Sequence, residues 1–252
     1  MVFMDTDTQF NSLAQLEHIL QTYWQLPYHR DASLEAKLSD VQNFQRLRVY
    51  DSHKDIFELP QNQKMADYFV NQLYGGEQFT LMAKQLDIIL PKAKKFEKLV
   101  PSGALETGIL AIAAAIEAIE LDLQLAQWLS QNDLPVTYDN MLNAYQRVGA
   151  KTQRLEQITH MKQVCYRTDK YINSFILQKA FALAKGTAYA NGLQPFYDFI
   201  DAGFVAMKPL GKVAHFIEPF AERERQIVEH VHGNTNDGRI DPHSAPFVYP
   251  NY

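Results

Sequence analysis

Apolar residues recur at helical intervals along most of the chain, and no stretch alternates as a strand does. In residues 10–24 they fall at 10, 13, 16, 19, 20, 23 and 24, with Asn11 or Ser12 able to cap the start and Pro27 to end the element. A second helix is predicted from Ser33 to about Phe57, on the stripe Leu34, Leu38, Val41, Phe44 and Leu47, ahead of Pro60. Residues 61–74 form a third, with Met65, Phe69, Val70 and Leu73 inward and Gly75-Gly76 as its stop. Residues 79–90 form a fourth, closed by Pro91.

The stretch 103–129 holds no Lys, Arg, His or Pro, and it reads as one long, nearly buried central helix entered at Ser102. At 100° per residue it divides into three faces. Glu106, Glu117, Glu120, Gln124 and Gln127 make a polar stripe, and Leu105, Ile109, Ile112, Ile116, Ile119 and Leu123 a large apolar one. Thr107, Gly108, Ala111, Ala114, Ala115, Ala118 and Ala126 make a face of small residues. That face admits either a close neighbouring helix or an apolar ligand, and the acidic edge must meet water, arginine or metal.

Thr137 caps a predicted helix over 138–148, ended by Gly149. The run 151–185 is helical with a break near Asn173-Ser174, followed by a connection over 186–192. Pro195 opens a helix through Met207, and Pro209 and Gly211 separate it from a last one over 213–232. The expected fold is therefore all-α: eight or nine helices in one bundle-like domain, 1–232, around the buried central helix. An irregular or disordered C-terminal tail, 233–252, carries Phe247, Tyr249 and Tyr252 as anchors.

Composition narrows the function classes. The net charge is -5 and the pI about 5.9, which argues against nucleic-acid binding. The basic cluster Lys92, Lys94, Lys95 and Lys98 reads as a solvated face. The single cysteine, Cys165, excludes an intrachain disulfide and lies on an apolar stripe with Ile158, Met161 and Ile172. The N-terminal MVFMDTDTQF has neither part of a secretory signal, and the wholly apolar run 109–116 is far short of the ~20 residues of a membrane span. The expectation is a soluble, cytoplasmic protein of bacterial type.

Candidate chemistry is sparse. No phosphate-binding glycine loop, nucleophile elbow or zinc spacing occurs. Helical di-metal sites need two Glu-x-x-His pairs, and only Glu229/His232 is present, with His160 as a further ligand candidate. Haem ligation would fall to His18, His160 or His215. Arg147, Arg154, Arg167, Arg223 and Arg225 are candidates to converge on an anion. The leading expectation is a non-enzymatic binding or interaction module for a small apolar molecule or a partner protein, without a cofactor. Its candidate site residues are Ala111, Ala115, Ala118, Tyr74, Glu117, Glu120 and Arg147. The alternatives are a metal- or haem-dependent helical redox enzyme and a structural homodimer.

The octet Tyr68-Phe69-Val70-Asn71-Gln72-Leu73-Tyr74-Gly75 resembles the signature of the bacterial FFLEELY-motif proteins, a family without an assigned function. Further blocks are similar to that family's pattern: 41–47, Phe79 with 87–91, 115–122, 144–149, and Gly203-Phe204 through Arg223-Glu224. Together they cover about residues 40–225. The motif's two acidic positions are Asn71 and Gln72 here, and its first aromatic is Tyr68. The resemblance implies no catalytic residues. It leaves Phe69, Leu73 and Tyr74 as packing residues and Gly75 as a helix stop, with the Tyr74 hydroxyl bonded to a partner group if buried.

Overall fold

A computed structural model describes residues 12–73, 77–93, 102–192 and 194–233. The described residues are helical, with eleven α-helices and no strand. Helix α1 is Ser12–Trp24 and leads through a 3-10 turn, Pro27–Arg30, into α2, Ala32–Ser52. Helix α2 begins one residue before the predicted Ser33 and is capped by Asp31, whose carboxylate accepts from the backbone N–H groups of Ser33 and Leu34, each at 3.0 Å.

The predicted helix to Phe57 is broken at His53. There φ is -121°, and the ring Nδ1 donates to the Val49 carbonyl at 2.9 Å. The wholly buried imidazole stacks on Phe57 and Phe220, with centroids 5.6 and 4.3 Å away. A single turn, α3 (Lys54–Phe57), follows, then α4 (Gln63–Tyr68) and a π-helical turn, Phe69–Leu73. The Gly75-Gly76 stop and Tyr74 lie outside the described residues.

Helix α5, Glu77–Ala93, continues past Pro91, so the proline does not close it. Pro91 sits in the last turn, where its missing N–H costs one hydrogen bond near an end that already has unsatisfied groups. The central helix α6, Ser102–Gln131, is 30 residues long. Helix α7, Tyr138–Val148, has the expected Thr137 cap, and Gly149 ends it at φ 68°. The long C-terminal run divides at Asn173-Ser174 into α8, Lys151–Ile172, and α9, Phe175–Ala190. Ser174 caps α9, which runs on through Gly186, so the predicted connection is largely helix. Helix α10 is Gln194–Met207, and α11 is Ala214–Val231. The breaks at His53 and at Asn173-Ser174 raise the helix number above the predicted eight or nine. The proposed tail from 234 onward lies outside the described residues.

Helix α6 packs on α2, α8, α7 and α1. One hydrophobic cluster joins its Ile109, Ile112, Ile116, Ile119 and Leu123 to Leu20 and Tyr23 of α1 and to Leu38, Val41 and Phe44 of α2. A second gathers Phe57, Phe69, Cys165, Met207, Phe216 and Phe220. Burial pushes the Cys165 thiol up to about 12, which makes it an inert core side chain. Helix α2 gives Val41 and Phe44 to the first cluster and Val49 to the second. Helix α11 gives Ile227 and Val231 to the first and Phe216, Ile217 and Phe220 to the second.

Tyr68 docks α4 on α10, its hydroxyl donating to the Phe199 carbonyl at 3.2 Å. Gly203 makes the space: a Cβ there would stand 2.9 Å from the Tyr68 hydroxyl oxygen and 3.1 Å from its Cζ. Gly203→Ala therefore destabilises the fold by about 1–3 kcal/mol through overpacking. Gly108→Ala, on α6 with nothing within 4 Å of the new Cβ, stabilises it by about 0.8–1 kcal/mol. Urea denaturation of both variants checks the pair, and a stabilised Gly203→Ala contradicts the packing described.

Candidate functional site

Five helices bring buried and half-buried polar side chains together. Helix α2 supplies Gln45 and Arg48, α6 Asp122, α7 Tyr145, α8 Arg154 and α11 Glu224. Asp122 is 1% exposed, Arg48 4% and Arg154 6%. Charges so placed are tolerated only when matched and hydrogen-bonded.

The matching is specific. Gln45 Nε2 donates to Asp122 Oδ1 at 3.0 Å. Arg154 Nη2 donates to the same oxygen at 3.4 Å and to the Leu121 carbonyl at 3.2 Å. Both donors address the oxygen as a carboxylate requires. Burial raises the Asp122 pKa, with Arg154 and the Gln45 bond opposing it. The Arg154 guanidinium also lies over the Tyr145 ring, 4.7 Å from its centroid. Arg48 pairs with Glu224 across α2 and α11. Burial acts to raise the Glu224 carboxyl, but Arg48 and its neighbours hold it below the usual carboxylate range.

Two imidazoles border this cluster. His53 turns Nε2 toward Glu224 Oε1 at 3.5 Å, while Nδ1 donates to Val49. His232 Nδ1 donates to the Val228 carbonyl at 2.9 Å, and its Nε2 is buried without a hydrogen bond among the described residues, with the Tyr145 backbone also acting on the ring. Desolvation lowers the pKa of both.

A cavity of about 60 Å³ opens beside the ion pairs. Arg48, Tyr145, Arg154, Gln157, Glu224 and His232 form its polar side, and Val49, Phe69, Ile158, Met161, Phe220, Ile227, Val228 and Val231 its apolar wall. The arrangement sets arginine donors, a carboxylate and a buried imidazole nitrogen next to hydrocarbon. That combination orients a small polar group.

The candidates taken from the sequence fall elsewhere. Ala111, Ala115 and Ala118 are partly buried on α6 and do not line the cavity. Glu117 pairs with a histidine: its Oε2 stands 2.9 Å from His160 Nδ1, and burial raises its pKa. Glu106 and Glu120 are half-buried on the same edge. Arg147 is exposed at the end of α7. Glu229 pairs with Lys151 at 2.6 Å, so the structure does not bring Glu229, His232 and His160 together as one ligand set. No group of three or more His, Cys, Asp or Glu able to hold a metal occurs among the described residues.

Sequence reasoning named Arg154 but missed its partners. The signal was present as a polar residue continuing an apolar stripe. Asp122 extends the stripe Ala111, Ala115, Ala118, and Gln45 and Arg48 extend Leu34, Leu38, Val41. Glu224 falls between Phe220 and Ile227 in the same way.

The chain belongs to a family described as a domain of unknown function (DUF8198), whose family model matches residues 25–238. That span contains every member of the buried network. Comparison with curated proteins and with solved structures finds no match. No helix among the described residues is long and apolar enough to cross a membrane.

Removing one partner strands the other. Arg154→Met costs about 3–5 kcal/mol of unfolding free energy. Adding Asp122→Leu to it recovers part of that loss, which a double-mutant cycle by chemical denaturation measures. Full additivity of the two substitutions contradicts the pairing. The histidines give a second expectation. Their folded pKa values lie below the ordinary 6.5, so under acid the unfolded chain takes up protons that the folded chain refuses. Their contribution to stability is complete well above pH 6.5 and declines as the pH falls below it. Urea denaturation between pH 8 and 5 reads this decline, and a flat profile contradicts it.

Proposed function

We propose that the protein is a non-enzymatic binding module whose ligand site is the cavity walled by α2, α7, α8, α11 and the π-helical turn. The observation that carries this reading is the meeting, inside the bundle, of matched ion pairs with an apolar wall around one open volume. The ligand is small, since 60 Å³ is room for about four to six water-sized groups at 10–15 Å³ each. Its head is uncharged, because two guanidiniums already face two carboxylates. It donates a hydrogen bond to His232 Nε2 and accepts one from the arginine side, as a primary amide on a short apolar body does. This replaces the purely apolar ligand expected at the alanine face of α6. The narrower kinship with FFLEELY-motif proteins rests on the sequence blocks alone.

Propionamide, propionate and propylammonium serve as probes. Propionamide raises the Tm in a saturable way, the two charged analogues do not, and Val228→Phe, which fills the cavity wall, abolishes the response. Equal responses to all three probes, no response to any, or an undiminished response in Val228→Phe rejects the reading.

A further inference from the structure

We propose that the outward face of α9 is a docking surface for an acidic amphipathic helix of a partner protein, a site separate from the cavity. None of the residues of α9 is fully buried, although 11 of the 16 in FILQKAFALAKGTAYA are apolar. Its inward side is made by Leu177, Phe181 and Ala188, with the Phe181 ring stacked on Tyr197 of α10 at 4.2 Å between centroids. The other side stands open: Phe175 is 67% exposed, Ile176 80% and Leu183 83%. Three such side chains on one short helix make the kind of contiguous apolar patch that marks an interaction site.

Charge identifies the occupant. Helix α9 carries Lys179 and Lys185 and no carboxylate, in a chain whose net charge is -5. Lys185 is turned aside, its ammonium 5.3 Å from the Tyr189 ring centroid. Lys179 is not turned aside. At 100° per residue it falls midway in an arc of about 80° bounded by Phe175 and Leu183, and its ammonium lies 4.4 Å from the Phe175 centroid. A cation in the middle of the apolar arc disfavours a bilayer, where that arc would have to enter hydrocarbon. It also disfavours a second copy of the chain, which would set Lys179 toward Lys179 with no carboxylate on either helix. A partner helix with Leu- or Phe-type residues around a central Glu or Asp satisfies both features: the apolar side chains cover Phe175, Ile176 and Leu183, and the carboxylate meets Lys179. Gly186 and Ala190, on the same arc, let its backbone come close.

The test uses the full chain and defined probes: an 18-residue Leu/Glu amphipathic peptide, its Leu/Lys counterpart, and vesicles of phosphatidylglycerol and phosphatidylcholine. Wild type binds the acidic peptide at least tenfold more tightly than the basic one. Lys179→Glu reverses that order, and Leu183→Asp removes binding of both while the circular-dichroism spectrum stays that of the wild type. The proposal is overturned by equal affinity for the two peptides, by binding of neither, or by vesicle capture that survives Lys179→Glu. A wild-type dimer in sedimentation that Leu183→Asp converts to monomer also overturns it and assigns the face to self-association.

Discussion

Two ion pairs that water scarcely reaches hold the packing of this bundle to one arrangement. Arg48 with Glu224, and Arg154 with Asp122 and Gln45, tie α2 to α11 and α8 to α6 and α2. A sliding of any of these helices by one residue moves its side chains about 1.5 Å along the axis and rotates them by 100°. That is enough to break contacts of 3.0–3.4 Å and strand a charge away from water. Hydrophobic packing alone is more forgiving of such shifts. The polar residues also fall where α2 and α11 pass from one hydrophobic cluster to the other, so the two halves of the core are joined through electrostatics.

The helical pattern made most of the fold legible. The extent of α6, the Thr137 cap, the Gly149 stop and the break at Asn173-Ser174 all follow from local chemistry, which a one-dimensional reading captures. What escaped it was set by tertiary contacts. His53 leaves the helix because its ring is wanted between Phe57 and Phe220, one of them more than 160 residues away. Pro91 stays within α5 because a helix end tolerates one missing donor. The site was partly visible. Asp122, Arg48 and Glu224 each interrupt an apolar stripe, but their pairing spans up to 176 residues of chain and no periodicity encodes it. The alanine stripe admits a close helix or a ligand, and its continuation is the carboxylate that Arg154 reaches.

The two outward-looking features differ in kind. The cavity is a partly open cleft with an apolar wall beside a matched charge set, the arrangement on which the proposed uncharged guest rests. The open face of α9 is apolar with a single central cation, which suits a macromolecular surface. Helix α8 lies between them: it lines the cavity with Arg154, Ile158 and Met161 and packs on α9.

Charge balance is the central feature of the cluster: two guanidiniums face two carboxylates, beside two imidazoles whose pKa burial lowers. The most direct measurement is the side-chain ¹⁵N NMR spectrum of His53 and His232 at neutral pH. The predicted result is the neutral tautomer protonated on Nδ1 at both, with Nε2 resonating as an unprotonated nitrogen. A doubly protonated His53, or a proton on Nε2 of His232, would contradict the balance and with it the neutral-ligand cavity.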